Sequence, residues 1–138
     1  MKIVIFWLVA LLALAFNLFA VWDLWGTLSN FESHLAGYPP ELVAMMRDIP
    51  EWRIVMWATT VFIGVIGALL LALRRAMAER VLWTATALML AGLVIDYTMF
   101  DGARGYGPNG IFFNALIVGI EALFALYARW AARHGLLR

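Results

Sequence analysis

Four apolar runs of about 20 residues, separated by short turns, constrain this chain more than any other feature. A helix of that length matches the hydrocarbon thickness of a bilayer, so each run reads as a membrane span. The first covers about 3–25, the second about 53–73, the third about 81–100 and the fourth about 111–127. Breaker residues lie between them: "GYPPE", "RRAMAER" and "DGARGYGPNG". The predicted fold is all-α, a single polytopic domain with four transmembrane helices in an antiparallel bundle. The second loop is so short that spans two and three form a tight helical hairpin. Composition agrees, since 65% of residues are hydrophobic and only 14% charged, too few charges for a water-soluble surface.

The first run raises the question of a cleaved leader. Lys2 precedes it and "ALA" at 13–15 resembles a cleavage signature. The run is far longer than a signal-peptide core of about 7–15 residues, so an uncleaved span is expected.

Basic residues give the orientation. Lys2, Arg74, Arg75, Arg80, Arg129, Arg133 and Arg138 fall on one side, and Arg47, Arg53 and Arg104 on the other. By the positive-inside rule both termini and the second loop are cytoplasmic. Loops one and three then face outward, and the expected location is the inner (plasma) membrane. The net charge of +1 is too small for a nucleic-acid footprint. There are no cysteines, which excludes disulfides and thiolate chemistry.

The outer loop, 26–52, is the one sizeable piece outside the spans. Within it, about 40–48 fits a short interfacial helix. Pro40 suits a first helical position, Glu41 complements the dipole, and Leu42, Val43, Met45, Met46 and Ile49 supply an apolar side. A plain ordered loop accounts for the segment equally well. Aromatics gather at both span ends, as in an aromatic belt.

The chemistry, if any, lies in polar residues within the spans: Asn17, Asp96, Asn114 and Glu121. At about 1.5 Å per residue, Asn17 and Asp96 fall in the outer half and Glu121 near the midplane. Asp23 falls at the outer interface and shares a stripe with Thr27 and Asn30, about 120° around the helix from Asn17. Glu121 and Asn114 are seven residues apart and share one face of span four, continued by Ala125 and Ala128. No basic residue lies within a span core to pair with Glu121, so a protonated carboxyl bonded by Asn17, Asn114 or water is expected. Two readings follow. The four side chains form a proton or cation coupling site around an outward cavity, or they are interhelical hydrogen bonds that hold the bundle in register. Thr60, Gly64 and Ala68 form a row of small residues on span two; Ala85 and Gly92 lie on the Asp96 face of span three. Ala115, Gly119 and Ala122 give span four a second small face, as suits a helix buried on both sides.

A faint repeat pairs "VWDLW" with "VIDYTMF", placing Asp23 and Asp96 in matching positions, at a level expected by chance. His34 and His134 are not placed to hold haem within the membrane, and no Walker, HExxH, nucleophile-elbow or dinucleotide motif occurs. The expectation is no enzyme, no cofactor and no metal. The expected partners are the lipid bilayer and either a second copy of the chain or another membrane protein.

Four segments carry a family resemblance: "FNLFAVWD" in span one, "IPEW" at 49–52, "GVIGALLLALRR" at 64–75 and "YARWAARHGLLR" at 127–138. Through them the chain resembles a family of small bacterial four-helix membrane proteins, commonly labelled "sugar transporter" or uncharacterised membrane protein. The resemblance implies the four-helix membrane fold and carries no residue role. DoxX-like and small multidrug resistance proteins share the size and helix count. In the latter the membrane-embedded Glu belongs to the first helix, whereas here the carboxyl is in the fourth. The functional expectation is a structural or accessory membrane component. The alternative is a small-solute transporter, working as an oligomer with Glu121 as its coupling carboxyl.

Overall fold

The computed structural model describes residues 2–138. Four long helices dominate it: α1 (Lys2–Ser29), α4 (Glu51–Ala72), α5 (Ala78–Met99) and α7 (Gly110–Arg133), each long and apolar enough to cross a membrane. Three short helices fill the loops: α2 (Phe31–His34), α3 (Pro40–Asp48) and α6 (Gly102–Gly105). The described residues contain no strand.

The helices overrun the predicted spans where polar residues can still extend a helix outside an apolar layer. At 28 residues, α1 is about 42 Å long, so its last turns lie beyond a 30 Å slab. α7 likewise continues past Tyr127 to Arg133. The segment 40–48 forms α3, with Pro39 at the N-cap, Pro40 in the first turn and Glu41 beside it. Pro50 then caps α4 in extended conformation, so one proline both prevents α3 from continuing and starts the next helix.

The chain alternates direction, so both termini and the α4–α5 turn lie at one end, here the terminal face. The two long loops lie at the other, the loop face. α4 and α5 pair most extensively, α1 lies on α4 and α7 on α5, while α1 and α7 touch sparingly. The α4–α5 hairpin is tight because Gly67 lets the Leu82 side chain sit where a Cβ would be, and Arg74 takes a left-handed backbone (φ 59°) at the turn.

The tightest packing is concentrated on the terminal side. Phe6, Ala10, Ala13, Ala68, Leu71, Ala78, Leu82, Ala125, Ala128 and Ala131 are fully buried there as one cluster. Alanine dominates because helices in lipid gain little from apolar burial and associate by close backbone approach. The C-terminal residues close this end. Arg138 donates its N–H to the Arg74 carbonyl at 2.7 Å and accepts from Ala76 N–H at 2.8 Å. The Arg74 guanidinium donates to the Leu136 carbonyl, and Leu137 is buried.

The second small face of α7 is not covered. Ala115 is exposed, Gly119 and Ala122 are half-buried, and a Cβ added at Gly119 would meet nothing within 4 Å. α7 is therefore buried along one stripe within a single chain, not two.

Candidate functional site

Polar side chains gather in three places, and the four residues singled out from sequence do not form one group.

At the loop face, Arg53 in the first turn of α4 reaches Asp96 in the last turn of α5. Its Nε donates to Asp96 Oδ1 and its Nη2 to Oδ2, both at 2.7 Å, a bidentate fork on a carboxylate. The Asp96 side chain is buried and that of Arg53 is 11% exposed. The pair needs room: a Cβ at Gly92, one turn below Asp96, would press on the guanidinium at 3.0 Å. Tyr106, just past α6, completes the cluster, donating its hydroxyl to Asp96 Oδ2 at 2.8 Å while its ring stacks on Tyr97. Burial first, and then the Asp96 charge and hydrogen bond, lift the Tyr106 phenol far above its ordinary range. It therefore remains a donor at any ordinary pH. Asp96 is thus engaged with Arg53 and Tyr106, and lies about 12 Å along the bundle axis from Glu121.

A second contact ties α2 to α1. His34 Nε2 lies 2.9 Å from Asp23 Oδ1, with the Trp22 ring edge-on to the imidazole. The His34 ring fills the space beside Gly26 that a side chain there would occupy. Tyr38 stands nearby, its phenol raised by burial and secondarily by the Asp23 charge. The neighbouring Thr27 hydroxyl donates to the Asp23 carbonyl.

The third site is where α1, α4 and α7 meet. Asn17 Nδ2 donates to the Ala13 carbonyl at 3.0 Å and to Glu121 Oε2 at 3.2 Å, so both amide hydrogens are used. Asn17 Oδ1 rests against Gly64, in the space of the missing Cβ. Glu121 is 0% exposed, and its Oε1 has no hydrogen-bond partner. Gly64 is what lets α4 approach this pair, as the row Thr60, Gly64 and Ala68 suggested; all three are buried. Asn114 lies two turns along α7 on the same stripe but is half-buried, and its amide donates to the Gly110 carbonyl of its own helix.

The structure therefore joins Asn17 with Glu121, gives Asp96 a different set of partners, and leaves Asn114 bonded locally. Sequence reasoning missed Arg53, Tyr106 and His34 as partners. For Arg53 a signal was available. It lies two residues into α4 and Asp96 three residues from the end of α5, both within about 5 Å of the same face. Among the described residues no group of three His, Cys, Asp or Glu could hold a metal.

No protein-family model matches the chain, and neither a curated protein nor a solved structure is detectably similar to it. Any functional reading consequently rests on the geometry.

Proposed function

We propose that this protein is a multi-pass component of a bacterial inner membrane, with both termini cytoplasmic, that acts by packing against a membrane partner or a second copy of itself rather than by catalysis. The observation that carries this reading is the loop-side half of α7. Ile111, Phe112, Phe113, Leu116 and Ile117 are all exposed, and Ala115 and the open Gly119 lie among them. A flat flank of small residues between large apolar ones suits a facing helix. Elsewhere on the loop face, Arg53 is engaged with Asp96, His34 with Asp23 and, at the surface, Arg47 with Glu32. The distribution of Lys and Arg supports the orientation, with seven basic residues at the terminal face and three at the loop face.

Native mass spectrometry of gently extracted protein tests the reading. An oligomer or a retained partner is expected, and Gly119→Leu should release it while leaving the fold intact. A wild-type monomer that retains nothing would remove the proposal.

A second reading, a small-solute transporter working as an oligomer, is favoured by the bare Oε1 of Glu121. It predicts that Glu121→Gln abolishes solute-dependent proton movement in proteoliposomes while assembly survives. Sugars are the first solutes to try.

A further inference from the structure

We propose that Glu121 is a proton-binding site reached from the loop face and closed toward the terminal face. This goes beyond the packing role. Proton binding is an equilibrium property of the site, so it stands or falls independently of whether any solute moves.

The environment of the carboxyl selects the ligand. Its one hydrogen-bond partner is Asn17, which presents an N–H to it. An N–H donor facing the carboxyl repels a metal cation, and a hard cation such as sodium needs several oxygens around it. Here Asn17 Nδ2 stands between Glu121 Oε2 and the Ala13 carbonyl, and Asn17 Oδ1 is turned to Gly64. A proton needs a single oxygen, and Oε1 is unbonded. No compensating charge faces the site. α1 contributes Asn17 and α4 contributes Gly64, and the buried residues of α5 between Ala78 and Gly92 are Ala78, Leu82, Ala85, Thr86 and Gly92, none of which titrates. Removing an ionised carboxylate from water without a counter-charge is costly, and taking up a proton relieves that cost.

The direction of access follows from an asymmetry in packing. On the terminal side of Glu121 the interior is the fully buried cluster of Phe6, Ala10, Ala13, Ala125, Ala128 and Leu71, with Phe16 edge-on to Phe124 at its upper rim. On the loop side the same stripe of α7 continues through Val118 and Asn114, both only half-buried, to Gly110, which is buried against Tyr106. α1 and α7 also touch sparingly. In the proposed route water passes the edge of Gly110, meets Asn114 first and reaches Glu121 at the end of the stripe.

Infrared spectroscopy of the full chain in lipid reads the proton directly, through the carbonyl stretch of a protonated carboxylic acid. The Glu121→Gln difference spectrum separates Glu121 from the other eight Asp and Glu residues. The expected spectrum has one carboxylic-acid band that shifts on transfer to D2O and is absent from Glu121→Gln. Isotopic labelling of glutamate in the wild-type protein assigns the band without a variant. No such band at neutral pH, or a band that fails to shift in D2O until the protein unfolds, overturns the proposal. So does loss of the band on adding sodium at fixed pH, which would mark a metal-cation site. Because the chain has no cysteine, single cysteines report access cleanly. Val118→Cys should react with a small water-soluble thiol reagent many-fold faster than Ala125→Cys. Equal rates, or no reaction at either, would overturn the loop-face route.

Discussion

Asp96 and Glu121 are both buried acids on membrane-length helices, and they are held in opposite ways. Asp96 accepts three hydrogen bonds, two from a guanidinium and one from a phenol. Glu121 accepts one from an amide and leaves an oxygen bare. The first arrangement is a charge matched by a charge at the end of the bundle, where Arg53 can be supplied from a helix terminus. The second lies deep in the bundle, where no cation is within reach. A buried acid with a built counter-ion is suited to holding parts together. One without it is suited to changing its protonation.

Arg53→Met should break the contrast most severely. It leaves Asp96 buried without its cation, and a loss of about 3–5 kcal/mol is expected from thermal unfolding in detergent. The double variant Arg53→Met with Asp96→Leu should recover much of that loss, because an apolar pair of similar volume carries no desolvation cost. If the double variant is no better than the single, the ion pair does not act as a unit. Next in size is Gly64→Ala, whose new methyl would displace Asn17 from the Glu121 contact, at about 1–3 kcal/mol for overpacking. A Gly64→Ala protein as stable as wild type would show that α1 and α4 are looser at this level than the geometry indicates.

Tyr106→Phe removes one donor to Asp96 and should cost about 0.5–1.5 kcal/mol. This effect carries a pH signature. The Tyr106 phenol is raised in the folded protein above its ordinary value of 10.0. The folded state therefore holds the proton more tightly, and the stabilisation is complete below pH 10 and lost as pH rises from there toward the folded-state value. An alkaline unfolding series should show that decline in wild type, and Tyr106→Phe should lack this component. The smallest effect is expected from Glu121→Gln, under about 1 kcal/mol, since in the proposed proton-bound state a neutral amide replaces a neutral acid of the same shape. A loss as large as that of Arg53→Met would mean that Glu121 is ionised in the fold, and the contrast between the two acids would collapse.

The parts of the fold that were legible in the sequence are those set by local pattern. Hydropathy and breaker residues mark the four helices, and two prolines flank α3. The Thr60, Gly64 and Ala68 row is visible because its spacing alone puts it on one face. What was not legible depends on how the helices rotate against one another. Arg53 and Asp96 are 43 residues apart, and a charge count assigns Arg53 to a loop. Asn17 and Glu121 are 104 residues apart, and their meeting needs α1 and α7 to turn the right faces inward at similar depth. The closure of the C-terminal residues on the α4–α5 turn uses backbone groups of Arg74, Ala76 and Arg138, which carry no side-chain signature at all. The Ala115 and Gly119 face shows the opposite error. Its spacing suggests burial, but one copy of the chain offers nothing to cover it.

The Arg53–Asp96 fork also sets an order of events during synthesis. Arg53 leaves the ribosome 43 residues before its partner, which at about 5–20 residues per second is a delay of about two to nine seconds. Through that interval α4 carries a guanidinium with no carboxylate to receive it, so its loop-face end cannot settle among apolar neighbours. The arrival of α5 removes that obstacle, and Tyr106, ten residues further on, then covers the joined pair.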